Sequence, residues 1–136
     1  MQKRLSWVAA IVVAVVFSAV SSLNPNTTSQ PDGAAVTQGL AWQDLPAPAS
    51  QVGRRIGQGG PFAYDKDGSV FGNRERLLPP QKRGYYREYT VPTPGLNHRG
   101  ARRIVCGGLE PRNPERCFYT DDHYDSFRPI VGTLPQ

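Results

Sequence analysis

Between Tyr85 and Val91 aromatic and polar side chains interleave as Tyr85-Tyr86-Arg87-Glu88-Tyr89-Thr90-Val91, a period-two pattern that predicts a strand with one buried face. Arg102 to Cys106 and Cys117 to Asp121 are β-like in the same way. The turn-rich link from Pro92-Thr93-Pro94-Gly95 to Arg99-Gly100 predicts that the first two strands pair antiparallel. Phe127 to Val131 adds a last strand, placed at an edge because Pro129 has no amide to give a ladder. Upstream, Ala49, Val52 and Ile56 recur at helical spacing, with Pro46 and Pro48 at the start and Gly57 and Gly59-Gly60 at the end, which predicts one helix over about 47–57. Between helix and strands, Pro61-Phe62, Asp67-Gly68 and Pro79-Pro80 break short apolar runs into turns and irregular or edge structure. The sum is an α+β domain, one short N-terminal helix packed on a small antiparallel β-sheet.

The N-terminal pattern is of another kind. Lys3 and Arg4 precede an apolar run from Trp7 to Val20 with Ser18 as its only polar residue, and the small residues Ala19-Val20-Ser21-Ser22 follow. This reads as a signal peptide over residues 1–22, shorter than the roughly 20 apolar residues of a membrane-spanning helix. If it is not cleaved it is a membrane anchor. Residues 23–43 hold scarcely any large apolar group before Leu40 and Trp42 and read as a flexible leader, which leaves 44–136 as the folded domain.

Composition narrows the picture further. Gly and Pro make up 14 and 13 of 136 residues, which favours short elements and excludes long helical bundles. Loss of the signal removes Lys3 and Arg4 and no acid, so the formal charge falls from +5 to +3. A mildly basic balance suits encounter with a polyanion and equally an ordinary solvated surface. In an exported domain Cys106 and Cys117 are expected to form a disulfide, worth roughly 2–3 kcal/mol for so short a loop. The alternative is two unpaired buried thiols. No Cys-x-x-Cys is present and His98 and His123 stand apart, so no metal site and no cofactor are expected.

The candidate chemistry lies in Glu88, then Arg99, Arg102 and Arg103, then His123-Tyr124. A carboxylate, fixed guanidiniums and an imidazole are the three parts that metal-free phosphodiester cleavage needs. One group takes a proton from the attacking hydroxyl, one returns a proton to the leaving oxygen, and fixed cations hold the charge that builds on phosphorus. Alternation along the strand places Arg102 on the opposite face from Arg103, outside the site. Taken one at a time, the arginines would read as a solvated basic strand.

A long ordered series with near-constant spacing carries a resemblance over about Leu45 to Ile130. It runs through Gly60-Pro61-Phe62-Ala63-Tyr64, Asp67-Gly68-Ser69-Val70-Phe71, Asn73-Arg74-Glu75, Leu78-Pro79, Gly84-Tyr85-Tyr86, Glu88-Tyr89-Thr90-Val91, Arg99-Gly100, Arg102-Arg103-Ile104, Cys106-Gly107, Tyr119-Thr120 and Asp122-His123-Tyr124. These residues resemble the microbial guanyl-specific ribonucleases of the N1/T1 type, above all the streptomycete extracellular enzymes. The resemblance implies the microbial ribonuclease fold and Glu88 as general base for a ribose 2′-hydroxyl. It implies His123 as general acid for the departing 5′-oxygen, and Arg103 with Arg99 on the nonbridging oxygens. Tyr124 would add a hydroxyl donor.

Guanine selection is implied for Phe71 to Glu75. Phe71 would stack the base, loop amides (with Asn73 and Arg74 in the same stretch) would meet its O6 and N7, and Glu75 would accept from N1–H and the exocyclic amine. Without that match, Phe71 in the core and Glu75 paired with Arg74 would be the default. This chain departs from the pattern at Gly72, where a larger polar side chain is common, and at Arg87, where His is expected and which should face away from Glu88. The implied partner is single-stranded RNA, cleaved by a secreted monomer, with an intracellular protein inhibitor as a further candidate partner. A catalytically silent nucleic-acid-binding or interaction module on the same fold is the alternative, and it would be expected to lack one of the chemical groups. None is lacking.

Overall fold

The computed structural model describes residues 38–136, so the expected signal segment and the leader up to residue 37 lie outside the described residues. One helix, α1 (Ala47–Gln58), packs on a five-stranded sheet. The strands are β1 (Leu40–Ala41), β2 (Tyr86–Thr90), β3 (Arg103–Gly107), β4 (Arg116–Thr120) and β5 (Arg128–Val131), in the spatial order β1-β5-β4-β3-β2. The sheet is antiparallel except where β1 runs parallel to β5.

Two expectations change. The folded region begins before residue 44: Leu40 and Ala41 pair with Ile130 and Val131, and Trp42 is buried in the main core, so the last residues of the expected leader belong to the domain. A two-residue strand leaves no alternation to read. For the same reason β5 is not an edge, because β1 covers its outer side. Pro129 is accommodated opposite Phe118.

Helix α1 starts at Pro46 as its N-cap, with a proline in its first turn, where an amide would have no intrahelical acceptor in any case. It continues through Gly57 and stops at Gly59, whose left-handed φ of 81° closes the end, with the amides of Gly59 and Gly60 donating to Ile56 and Arg55. Its apolar stripe, Ala49, Val52 and Ile56, is buried against Tyr89, Ile104, Cys106, Cys117, Tyr119 and Ile130 from one face of the sheet. Fully burying an aliphatic side chain of that size contributes about 1.5–3 kcal/mol.

The other face carries a smaller cluster, Leu78, Tyr85, Tyr86 and Val105, flanked by Phe71, Phe118, Tyr124 and Phe127. Alternation along β2 and β3 therefore sends Tyr89 and Ile104 toward the helix while Glu88, Thr90 and Arg103 share the helix-free face. Cys106 and Cys117 are direct partners across β3 and β4 and form a disulfide. Beside β2, Gly68 and Glu88 exchange backbone contacts with the segment through Phe71, and Val70 bridges Arg87, so the outer edge of β2 is covered.

Candidate active site

The helix-free face of the sheet brings Glu88 and Arg103 within one hydrogen-bonded group, because Glu88 pairs in register with Val105 and Thr90 with Arg103. Arg103 is 2% exposed, and burying a guanidinium demands full pairing. Its Nε donates to the Tyr124 hydroxyl at 3.1 Å, and its Nη1 donates to the carbonyls of Gly100 at 2.9 Å and Arg102 at 2.8 Å. Nη2 has no hydrogen bond among the described residues and is not a sealed, unsatisfied atom either, which leaves it as the donor open to an incoming oxygen.

Both oxygens of Glu88 are engaged. Oε1 accepts from Arg99 Nη2 at 3.3 Å and Oε2 accepts from the Tyr124 hydroxyl at 2.6 Å. Arg99 is steadied by its Nε, which donates to Thr90 Oγ1 at 2.9 Å, and by Asp67 at 3.9 Å. The Asp67 side chain is 4% exposed and accepts from the Thr90 amide at 2.7 Å. In the sequence Asp67 stands in a turn and in the series that carries the resemblance, and its position before Gly68 gives no sign that it buttresses Arg99. Tyr124 thus donates to Glu88 and accepts from Arg103. Its ionisation is pushed up to about 12, first by burial and then by the Glu88 carboxylate, so it stays a donor across the neutral range.

His123 and Tyr124 both adopt left-handed backbone, φ 58° and 76°, a conformation that costs non-glycine residues of order 1–3 kcal/mol each. Thr120 and Asp122 hold them there. Thr120 Oγ1 accepts from the Tyr124 amide at 3.1 Å and donates to Asp122, whose carboxylate also accepts from the amide and hydroxyl of Ser126. Those bonds, the Ser126 hydroxyl foremost, hold the Asp122 carboxyl down at about 2. The turn leaves the His123 ring exposed, with its centroid 4.9 Å from that of Tyr124. Glu88 and His123 therefore flank Tyr124 on one face of the molecule. The spacing Thr-x-Asp followed by Ser four residues on is the signal that could have located this clamp in the sequence.

The expected base-recognition stretch divides in two. Phe71 is partly buried, stacked on Tyr124 at 5.1 Å between centroids and edge-on to Phe127 at 5.8 Å, and its amide donates to the Tyr86 carbonyl. That amide is therefore not among the donors left for a base. Asn73 clamps the loop: its side chain donates to the Leu78 carbonyl at 2.9 Å and accepts from the Leu78 amide at 3.0 Å. Arg74 and Glu75 are exposed, and the pairing between them that a bland surface reading would expect does not form among the described residues. Arg87 sends its guanidinium to the Gly68 carbonyl and lines a cavity with Ile56 and Tyr89 on the helix side, away from Glu88. Arg102 stands near Tyr119 on that same side. Among the described residues no group of three His, Cys, Asp or Glu side chains could hold a metal ion.

Comparison with known proteins bears on this arrangement. Residues 29–131 match the family model described as ribonuclease. Over 85 residues the chain is 51% identical to guanyl-specific ribonuclease St of Saccharopolyspora erythraea, covering 62% of this chain and 79% of that enzyme. It is 48% identical to guanyl-specific ribonuclease Sa3 of Kitasatospora aureofaciens over 67% of this chain, and spans 62% of that relative's length. Among solved structures, ribonuclease Sa2 in complex with mononucleotides superposes with a TM-score of 0.63 at 41% identity, over 68% of this chain and 92% of that one. Sa2 with guanosine-2′-cyclophosphate gives 0.60 at 40% identity over the same shares of both chains. With its fold, its cluster of Glu88, Arg103 and Tyr124, and these similarities together, the chain belongs to the microbial guanyl-specific ribonuclease family.

Proposed function

We propose that the protein is a guanyl-preferring endoribonuclease that cleaves single-stranded RNA on the 3′ side of guanosine, first by transesterification to a 2′,3′-cyclic phosphate and then by hydrolysis of that ester. The observation that carries this reading is the hydrogen-bonded group of Glu88, Arg99, Arg103 and Tyr124, with His123 at its rim. In the first step Glu88 takes the proton of the ribose 2′-hydroxyl, the freed oxygen attacks phosphorus, and His123 gives its proton to the departing 5′-oxygen. In the second step the two exchange roles on a water molecule. Since the nucleophile is the 2′-hydroxyl, DNA is inert.

Arg103 is the main electrostatic element. Its rigid mooring leaves one nitrogen for a nonbridging oxygen and lets the charge of the pentacovalent species be met without rearrangement. Tyr124 acts chiefly by holding Glu88 and Arg103 in place, because its hydroxyl is already committed to both. For the base, the partly exposed Phe71 ring offers a stacking face. The amides beyond Phe71 and the unpaired Glu75 carboxylate offer donors and an acceptor matched to the guanine edge, which adenine lacks.

The N-terminal pattern supports export by a cleaved signal over residues 1–22, with the enzyme acting outside the cell as a monomer. The cleavage reading is tested with guanylyl and adenylyl dinucleoside phosphates. Faster turnover of the guanosine substrate through a cyclic intermediate is the expected result, and equal turnover of both would remove the base preference.

A further inference from the structure

Arg99 meets two carboxylates through one nitrogen. Its Nη2 lies 3.3 Å from Oε1 of Glu88 and 3.9 Å from Oδ1 of Asp67, while its Nε donates to Thr90 Oγ1 at 2.9 Å. Nη1 has no hydrogen bond among the described residues, which leaves it as a donor for a nonbridging oxygen. The two carboxylates differ in their access. The Glu88 side chain is 14% exposed, whereas that of Asp67 is 4% exposed and accepts from the Thr90 amide at 2.7 Å, so a substrate reaches the first and scarcely the second.

The backbone fixes Asp67 relative to Glu88. The Asp67 amide donates to the Tyr64 carbonyl at 2.9 Å, the Gly68 amide to the Glu88 carbonyl at 2.8 Å, and the Glu88 amide to the Ser69 carbonyl at 3.0 Å. Across β2, Arg87 Nη1 donates to the Gly68 carbonyl at 2.7 Å. The segment that carries Asp67 is therefore laced to the main chain of Glu88 itself, and the separation of the two carboxylates is set by the fold.

We infer that Asp67 is a positioning residue for the cleavage reaction, a permanent counter-charge that shares Arg99 with Glu88 and thereby frees Glu88 to take a proton. A carboxylate paired one to one with a guanidinium accepts a proton less readily than one that shares it. By drawing on the same Nη2, Asp67 loosens the hold of Arg99 on Glu88. Once Glu88 has taken the 2′-hydroxyl proton its charge is gone, and Asp67 with Thr90 Oγ1 keeps Arg99 in the site for the oxygens of the pentacovalent species.

The charges fit this timing. Those of Glu88, Asp67, Arg99 and Arg103 cancel before the reaction, and proton uptake by Glu88 leaves a positive excess as negative charge builds on phosphorus. Without Asp67 the excess is already present in the ground state, where it favours bound substrate and transition state alike and adds nothing to kcat. This role for Asp67 rests on the ribonuclease reading.

The test uses the full chain and Asp67→Asn, whose side-chain oxygen still accepts from the Thr90 amide while the charge is lost. It is assayed on a guanylyl dinucleoside phosphate beside the wild type, Arg99→Ala and the double variant Asp67→Asn/Arg99→Ala. In Asp67→Asn kcat is expected to fall about ten- to hundredfold with KM unchanged or lower, the order of loss that follows from misplacing one phosphate-binding group. In the Arg99→Ala background the same substitution is expected to lower kcat by no more than about twofold, because its effect passes through Arg99.

A carboxylate that only stabilised the fold would lower the urea midpoint, act equally in both backgrounds and not separate kcat from KM. Wild-type kcat in Asp67→Asn, or an equal loss with and without the Arg99 side chain, overturns the inference while leaving the ribonuclease reading intact. Should near-ultraviolet circular dichroism show Asp67→Asn unfolded, Asp67→Ser, whose hydroxyl also accepts from the Thr90 amide, carries the same comparison with the same outcomes. Failure of the wild type to cleave the dinucleotide would instead overturn the ribonuclease reading, and the role of Asp67 with it.

Discussion

The hydroxyl of Tyr124 donates to Oε2 of Glu88 at 2.6 Å, joining a turn after β4 to the middle of β2. The phenol oxygen of Tyr124 in turn accepts from Arg103 Nε, so one phenol links the carboxylate and the buried guanidinium. Tyr124→Phe keeps the ring that stacks on Phe71 and removes only this link. Loss of a hydrogen bond to charged partners costs about 1.5–3 kcal/mol, so kcat/KM on a guanylyl dinucleotide is expected to fall roughly 10- to 150-fold with the fold retained. An unchanged rate would show that Tyr124 positions nothing.

Tyr124 also sets an alkaline limit. Its folded value of about 12 lies above the ordinary 10, so an unfolded chain ionises this group first. The stability it contributes is complete below about pH 10 and is lost as pH rises toward 12. Urea unfolding followed against pH is expected to show this decline in the wild type and a shallower one in Tyr124→Phe.

At the acid end the clamp around His123 rests on Asp122. Its folded value of about 2 lies below the ordinary 3.8, so its contribution is complete above about pH 4 and disappears as pH falls toward 2. Asp122→Ala is expected to flatten that acid decline and to slow cleavage at neutral pH, since Ser126, Thr120 and the left-handed backbone of His123 and Tyr124 lose their common anchor. Acid unfolding curves and the neutral rate of the variant check both halves.

Much of the sheet was legible because β2, β3 and β4 carry alternating patterns long enough to have a phase, and the prolines and glycines around α1 mark its ends. The same alternation separated Arg103 from Arg102 and Glu88 from Arg87. The antiparallel pairing of β2 with β3 was legible too, but contacts made by short or isolated groups were not. Leu40 and Ala41 are too few to show a period, and their strand exists because β5 offers an open edge. Asp67 looked like half of a turn, and only the approach of Arg99 and the Thr90 amide makes it a support. Asn73 reads in the sequence only as part of the base-recognition stretch, and nothing there shows that its side-chain amide meets the Leu78 backbone at both ends and so clamps the loop.

The disulfide between Cys106 and Cys117 ties β3 to β4 directly behind the arginine face. Replacing both by Ala is expected to lower unfolding free energy by roughly 2–3 kcal/mol, the loop-closure value for so short a segment, and to leave the rate at 25 °C nearly unchanged. Denaturant midpoints and dinucleotide turnover measured side by side distinguish this stabilising role from a catalytic one.

The most direct measurement is single-turnover cleavage of a guanylyl dinucleoside phosphate by Glu88→Ala and His123→Ala, with near-ultraviolet circular dichroism confirming the fold. Proton transfer by these two groups predicts that each loses about 10²–10⁴-fold in rate, and that the pair together loses far less than the product. A folded His123→Ala or Glu88→Ala protein that cleaves at the wild-type rate would contradict the account.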